Sequence, residues 1–315
     1  MSTAARGVLF AGVLLAVVSG AVVVADTGSG PTPAVDGEPE AVFTGENMAA
    51  TVPTEDGSVS LSADASGKTI AIDAAHGNAP SREQLAPVVS TLTENGAEVT
   101  FTSSRRSGNF NATLRNADAF VVFGADERYT TGQLAAIESF TDAGGRLLVL
   151  TEPEKQTFGG LFFPPRGESA LETPLTPLLS EYGVGVRDGY LFNMADYDNN
   201  FVNVYGTPAG ESELTAGVDE LVFHESVALV GGESVVTSGD QTTLSTTRES
   251  DTYGVVTRAG ENAVAVGDTS VLGSEFVQRS DNEVFTSNLL AYLVTGEKSP
   301  ADAPQPSDSA GPRRA

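Results

Sequence analysis

The chain has 315 residues and a formal net charge of −25, from 42 acidic and 17 basic residues, while 40% of its residues are hydrophobic. This apolar fraction is ordinary for a globular protein, so the negative charge belongs to the surface. A surface this acidic argues against nucleic acid as a partner, because it cannot neutralise phosphates. Cysteine is absent, which excludes disulfides, thiolate metal sites and a cysteine nucleophile.

The basic residues are almost all arginines, and the lysines are Lys68, Lys155 and Lys298. A surface rich in aspartate and glutamate and poor in lysine suits a medium of molar salt, where the Debye length shrinks to about 3 Å and self-repulsion is screened. We therefore interpret the chain as a halophilic protein.

The amino terminus predicts a membrane span. Residues 1–6 form a short cytoplasmic stub that carries Arg6, and residues 7–25 contain no charged residue. As a helix this stretch reaches about 28 Å, close to the thickness of a bilayer core. A cleaved signal peptide and a retained signal anchor both fit. We favour the anchor because Val24-Ala25-Asp26 is a poor cleavage site.

The anchor interpretation predicts a single-pass protein of the cell membrane with its folded domain outside the cytoplasm. Residues 26–65 are rich in Gly, Pro, Ser, Thr and acidic residues, which predicts a flexible linker. Residues 66–296 predict one α/β domain, and the proline-rich residues 297–315 predict a disordered tail.

The domain begins with a predicted βαβ unit. Ile70 to Ala75 predict a buried strand, which the turn at His76-Gly77-Asn78 ends. Ser81 and Gln84 have the spacing of a capping box. The apolar positions of the helix that follows are Leu85, Val88, Val89 and Leu92.

The same alternation continues along the chain. Strands are predicted at Glu98 to Thr102, Ala119 to Phe123, Arg146 to Leu150 and Ala263 to Val266. Helices are predicted at Asn109 to Asn116, Thr130 to Ala143 and Asn282 to Val294, the last with a capping box at Ser280 and Glu283. Nearly continuous apolar strands that alternate with helices indicate a mainly parallel sheet covered on both faces.

The stretch from Phe158 to Val256 is less regular and predicts a mixed or antiparallel elaboration of the same sheet. A helix is predicted at Leu171 to Tyr182. Strand-forming runs follow at Gly189 to Phe192, Phe201 to Tyr205, Leu221 to Leu229, Gln241 to Thr246 and Tyr253 to Val256.

Several short blocks resemble a known family. They are Asp-Ala-Ala-His-Gly-Asn at 73–78, Thr-Ala-Gly-Val-Asp-Glu-Leu-Val-Phe-His at 215–224, and Val-Gly-Asp-Thr-Ser-Val-Leu at 266–272 with Asp281-Asn282 and Asn288-Leu289-Leu290. They resemble an archaeal and bacterial domain-of-unknown-function family (DUF 4350), which is similar to the glutamine-amidotransferase-like fold and to the accessory domain of gliding-motility ABC transporters. The resemblance implies a flavodoxin-like three-layer sandwich and no established activity.

The sequence contains no recognisable catalytic motif. A glutamine amidotransferase of this fold needs a nucleophilic cysteine, which the chain lacks. Neither a Gly-x-Ser-x-Gly elbow nor a glycine-rich nucleotide loop follows a predicted strand. Asp196-Tyr-Asp198 begins like a calcium loop, but Phe201 replaces the turn glycine, so we interpret it as a solvated acidic turn. No catalytic residue, metal ligand or cofactor is therefore assigned.

A candidate site lies where the predicted parallel strands end, because their carboxyl ends meet at one edge of the sheet. Seven residues belong there: His76, Asn78, Ser81, Asp126, Arg128, Glu152 and Asp268. Two interpretations stay open. The residues bind a small polar ligand or the loop of a partner, or they hydrogen-bond one another and hold the loops together.

Two functions fit these observations. The first is a membrane-anchored extracytoplasmic binding or interaction module without enzymatic activity, whose candidate partners are an ABC transporter or envelope proteins. The alternative is an extracytoplasmic hydrolase that uses carboxylates or a metal bound among His76, Asp126, Glu152 and Asp268. The sequence identifies no ligand.

The charge predicts that salt stabilises the folded protein. An unscreened acidic surface repels itself, so the melting temperature is expected to rise from low to multimolar potassium chloride. Differential scanning calorimetry over that range measures the effect. A melting temperature that does not change with salt contradicts the halophilic interpretation.

Overall fold

A computed structural model describes residues 57–78, 80–102, 110–153, 173–299 and residue 304. The predicted span at 7–25 and most of the predicted linker lie outside these ranges. Within them, no helix is both long enough and apolar enough to cross a membrane.

The centre of the domain is a parallel sheet of five strands. These are β1 (Thr69–Ile72), β2 (Glu98–Phe101), β3 (Ala119–Phe123), β4 (Arg146–Leu150) and β14 (Ala263–Val266). Their order is β2-β1-β3-β4-β14, and each neighbouring pair is parallel. The predicted parallel core is thus confirmed.

Helices pack on both faces of this sheet. They are α1 (Ala86–Glu94), α2 (Phe110–Asn116), α3 (Thr131–Asp142), α4 (Thr176–Glu181) and α5 (Asn282–Val294). Successive strand residues point to opposite faces. Ile70 and Ile72 therefore join the hydrophobic cluster that contains α1 and α5, whereas Ala71 joins the cluster that contains α2, α3 and α4.

The helix caps differ from the two capping boxes that the sequence predicts at Ser81 and Ser280, although α5 starts at Asn282 as predicted. Thr130 and Gln133 form the capping box of α3. The side chain of Ser81 does accept a hydrogen bond from Gln84 N at 2.9 Å, but only in a turn that precedes α1. The regular helix starts at Ala86 with Pro87 in its first turn, where a missing N–H costs no helical hydrogen bond.

The predicted capping box of α5 is not formed. Ser280 has a positive φ of 46°, and its hydroxyl bonds to Glu220 at 3.4 Å. The side chain of Asp281, the residue before α5, accepts hydrogen bonds from the backbone N–H groups of Asp219 and Glu220. The carboxylate thus ties the start of α5 to the segment before β8 instead of capping its own helix.

An antiparallel extension continues the sheet beyond β14. Its strands are β13 (Gly254–Arg258), β10 (Glu233–Ser238), β7 (Asn203–Pro208) and β8 (Leu221–His224), in that spatial order. The short strands β5 (Gly185–Val186) and β9 (Leu229–Val230) pair beside β13. A separate small sheet contains β12 (Ser250–Asp251), β11 (Thr242–Leu244) and β6 (Leu191–Phe192).

The extension agrees with the predicted mixed sheet but differs in detail. The predicted run from Leu221 to Leu229 is two strands, because Glu225 has a positive φ of 47° and breaks the extended backbone. Strand β10 lies in the middle of the extension and was not predicted.

Packing contacts also extend past both ends of the predicted domain. Val59 and Leu61 pack on the core, and the carbonyl of Val59 accepts a hydrogen bond from Thr91. At the other end, Lys298 Nζ donates to the carbonyls of Leu114 and Arg115. Described residues on both sides of 66–296 therefore contact the same folded unit.

Candidate functional site

The carboxyl ends of β1, β3, β4 and β14 lie at one edge of the sheet, as predicted. Two carboxylates at this edge are completely buried. Asp73 directly follows β1, and Asp268 follows β14 after one glycine. A buried carboxylate needs hydrogen-bond donors to balance its lost hydration, and the two groups obtain them in different ways.

Asp73 is the centre of the first cluster. Its Oδ2 accepts hydrogen bonds from His76 Nδ1 at 2.9 Å and from the hydroxyl of Tyr129 at 2.8 Å. Its Oδ1 accepts one from the hydroxyl of Thr102 at 2.8 Å. Burial raises the pKa of the Asp73 carboxyl, but these hydrogen bonds and the charge of His76 outweigh it, so that the pKa lies below the ordinary value.

His76 is buried within the same cluster, and both of its ring nitrogens have partners in the same chain. Nδ1 bonds to Asp73, and Nε2 lies 2.9 Å from Nε2 of Gln133 in α3. The imidazole stacks on Tyr129 with 3.9 Å between ring centroids. Burial lowers the pKa of His76, but the Asp73 carboxylate, together with Gln133 and Glu127, raises it by more, so that the net shift is upward.

Asn78 joins two strands of the core. Its amide nitrogen donates to the carbonyls of Asp73 and Phe123, both at 3.0 Å, and its Oδ1 accepts from His76 N at 3.1 Å. The donors and the acceptor of this side chain are thus used inside the protein. Its role is to hold the turn after β1 against the end of β3.

The other candidates near this cluster are exposed. Asp126 and Arg128 lie in the loop after β3, and Ser81 lies in the turn before α1. The loop is attached to the cluster through its backbone, because the N–H groups of Asp126 and Glu127 both donate to the carbonyl of His76 at 2.9 Å.

Asp268 is the centre of the second cluster. Its Oδ2 accepts from His224 N and from the hydroxyl of Ser270, and its Oδ1 accepts from Ser270 N, all at 2.7 Å. Burial, together with the nearby Glu152 carboxylate, raises the pKa of Asp268 to about 7. Because His224 ends β8, this carboxylate joins the parallel core to the antiparallel extension.

Glu152 contacts the second cluster through Thr269, whose backbone N–H and hydroxyl both donate to Glu152 Oε1. Gly124, the residue after β3, lies against this second cluster. A Cβ atom there would lie 3.2 Å from Thr269 and 3.8 Å from Glu152. His76 and Asp268 belong to separate clusters, and no hydrogen bond connects their side chains in the described part of the chain.

The structure adds to the first cluster four residues that the sequence did not select: Asp73, Thr102, Tyr129 and Gln133. Asp73 had a visible signal, because it is the one charged residue between Ile70 and Ala75. The other three had none, since they lie in separate segments that only folding brings together.

The polar atoms at the centres of both clusters are engaged within the chain. Both nitrogens of His76 and both oxygens of Asp268 are bound to groups of the same chain. Within the described ranges, no three His, Asp or Glu side chains are arranged to hold a metal ion. The arrangement supports the interpretation that these residues hold the loops together.

Replacing His76 by alanine is expected to lower the free energy of unfolding by about 3 kcal/mol. The change removes the stack on Tyr129 and takes one donor from a buried carboxylate. Chemical denaturation at fixed salt measures the effect. His224→Ala is the control, because this half-buried histidine has one side-chain hydrogen bond, with Asn203, and its loss is expected to cost about 1 kcal/mol. Equal losses contradict the assigned role of His76.

Asp268→Asn is expected to change the pH dependence of stability. Between the ordinary pKa of 3.8 and the folded value of about 7, the folded state holds a proton that the unfolded state has released. The free energy of unfolding of the natural protein therefore falls as pH rises through this window. The asparagine variant lacks this dependence. Its loss of unfolding free energy relative to the natural protein is therefore largest near pH 4, and this loss shrinks toward pH 7 by on the order of 4 kcal/mol. Chemical denaturation of both proteins across this pH range measures the loss, and a loss that does not change with pH contradicts the raised pKa of Asp268.

Comparisons with known proteins agree with the α/β fold. Residues 67–306 match a family of auxiliary proteins described as an ABC-type uncharacterized transport system. Among solved structures, the N-terminal domain of mmIFT52 is similar with a TM-score of 0.53 and 15% sequence identity, over 73% of this chain and 99% of that domain. At this identity the similarity concerns the fold alone. No curated protein matches the chain.

Proposed function

We propose a function on the premise that the chain belongs to the family of auxiliary components of an ABC-type uncharacterized transport system. In this proposal it is a non-enzymatic module that the segment 7–25 tethers to the outer face of the cell membrane. There it docks to a protein of the transport system. The observation that carries the proposal is an exposed aromatic surface on the antiparallel side of the domain.

We call Tyr190, Phe192, Met194, Tyr197 and Phe201 the aromatic surface. Large exposed hydrophobic side chains are otherwise scarce in the described ranges. Four of the five that reach an exposure of 36% or more belong to this group, and the fifth is Val230. Met194 is the most exposed, at 69%. Exposed apolar residues that cluster in this way are typical of protein interfaces, where tyrosine, phenylalanine and methionine are enriched.

The rings of this surface contact one another. Phe192 lies 6.2 Å from Tyr190 and 6.3 Å from Phe201, measured between ring centroids. Arg248 places its guanidinium 6.0 Å from the centroid of Phe192. The rings of Tyr190, Phe192 and Phe201 therefore form one connected patch, and the exposed Met194 and Tyr197 lie in the segment between Phe192 and Phe201.

Internal hydrogen bonds hold the backbone beneath the patch. The buried side chain of Asn193 accepts from the N–H groups of Ala195 and Asp196, and Asn193 N donates to the carbonyl of Phe201 at 2.8 Å. Asp198, in the segment that resembles a calcium loop, forms an ion pair with Arg279. An ordered backbone reduces the entropy that binding must overcome.

The fold and the carboxyl-end clusters support the same proposal. The strand order β2-β1-β3-β4-β14 is the order found in flavodoxin-like folds. As part of the proposal, we assign the domain to this class and to the similar glutamine-amidotransferase-like fold. In such folds ligands usually bind at the carboxyl ends of the strands, where His76 and Asp268 are here bound to groups of the same chain. This leaves the aromatic surface as the favoured contact for a partner.

The double substitution Tyr197→Ser with Phe201→Ser tests the docking surface. Both side chains are exposed, at 41% and 43%, so the melting temperature is expected to stay close to that of the natural protein. Copurification from native membranes with the permease and ATPase subunits of an ABC transporter is expected to fall at least about tenfold. Quantitative mass spectrometry measures the subunits.

Val230→Ser is the matched control, because Val230 is 52% exposed and lies outside the aromatic surface. It is expected to leave copurification unchanged. The proposal fails if the natural protein recovers no transporter subunit, or if the double variant recovers as much as the control.

A further inference from the structure

An open cavity of about 580 Å3 lies at the sheet edge opposite to the Asp73 and Asp268 clusters. Arg146 borders it at the start of β4, Arg258 borders it at the end of the antiparallel strand β13, and residues 260–262 border it just before β14. The carboxyl-end clusters and the aromatic surface contribute no residue to this cavity.

Arg146 is held in one orientation at the cavity. Its Nη1 donates to the carbonyl of Glu261 at 2.7 Å and to Oδ1 of Asn262 at 2.9 Å. Its guanidinium lies 4.9 Å from the centroid of the Tyr292 ring. Its Nε is buried without a hydrogen-bond partner in the described part of the chain. The guanidinium is thus positioned, but its donors are only partly used.

Arg258 has even fewer contacts. It lies opposite Glu233 in the pairing of β13 with β10, yet neither Glu233 nor any other described carboxylate forms an ion pair with it. Burial raises the pKa of Tyr292 to about 12, while the charges of Arg146 and Arg258 both act to lower it. Both cations therefore lie near the same phenol.

Two arginines that border one cavity without a bound carboxylate are unexpected in a chain of net charge −25. By contrast, Arg279 is paired with Asp198. The exposed residues Glu233 and Glu261 also border the cavity, but the carboxylate of neither contacts a guanidinium in the described ranges.

We propose that this cavity binds a small oxyanion, through a carboxylate or phosphate group placed between the guanidinium groups of Arg146 and Arg258. The fork of N–H donors on arginine matches the paired oxygens of such groups. Gly260 also borders the cavity, and a Cβ atom there would meet no atom within 4 Å, so the cavity is open on this side. This site is independent of the aromatic surface and of the docking function.

Titration of the full-length protein with citrate and with inorganic phosphate at fixed potassium chloride tests the site. Isothermal titration calorimetry is expected to show saturable binding of at least one probe. Arg258→Gln is expected to weaken that binding at least about tenfold, because a charge-assisted pair of hydrogen bonds is lost. Arg258 has no side-chain hydrogen bond within the described residues, so this variant is expected to fold. Arg187→Gln changes an exposed arginine outside the cavity and is the matched control.

The comparison of the two probes distinguishes the source of the oxyanion. Tighter binding of citrate assigns a carboxylate ligand, and tighter binding of phosphate assigns a phosphorylated one. The site is overturned if neither probe binds saturably, or if Arg258→Gln and Arg187→Gln bind equally well. Copurification of transporter subunits is expected to be the same in both variants, so failure here is distinguishable from failure of the docking function.

Discussion

The buried carboxylate of Asp73 is the constraint on which this end of the domain depends. A charge with no access to water at the end of a central strand must be surrounded by donors. The donors come from the turn after β1, from the end of β2 and from the loop after β3, as His76, Thr102 and Tyr129. One carboxylate therefore determines the course of three connections. Through the contact of His76 with Gln133, it also determines the position of the start of α3.

Asp268 has the corresponding role between the two halves of the sheet. It bonds to the backbone at the end of β8 and to Ser270 after β14, so it holds the antiparallel extension against the parallel core. Because both buried carboxylates are satisfied from within, the edge of the sheet that often binds ligands is here a structural junction. The two contact surfaces that we propose lie elsewhere. They are the exposed aromatic surface on the antiparallel side of the domain and the cavity between Arg146 and Arg258 at the opposite sheet edge.

Much of the parallel core could be predicted from the sequence. The strands at Ala119–Phe123, Arg146–Leu150 and Ala263–Val266 agree with their apolar runs residue for residue. The extension was harder to predict. Strand β10 is polar at both ends, and it is a strand because β13 and β7 lie on either side of it to bond its backbone. Ser81 has the side chain and the spacing of a cap, but the start of α1 depends on Pro87 and on packing against the sheet.

The sequence by itself determined the acidic surface, the absence of thiol chemistry, and the alternation of apolar strands and helices. These are properties of composition and of local periodicity, which need no contact between distant residues. It also placed His76, Asn78, Glu152 and Asp268 at one edge, because parallel strands must end together. Only the tertiary structure decided which of these residues share a cluster and whether their polar atoms bond within the chain or are available to a ligand. Tyr129 and Gln133 form hydrogen bonds with the first cluster, and the backbone of His224 forms one with the second. These bonds join residues that are far apart in the sequence, so no local sequence pattern could predict them.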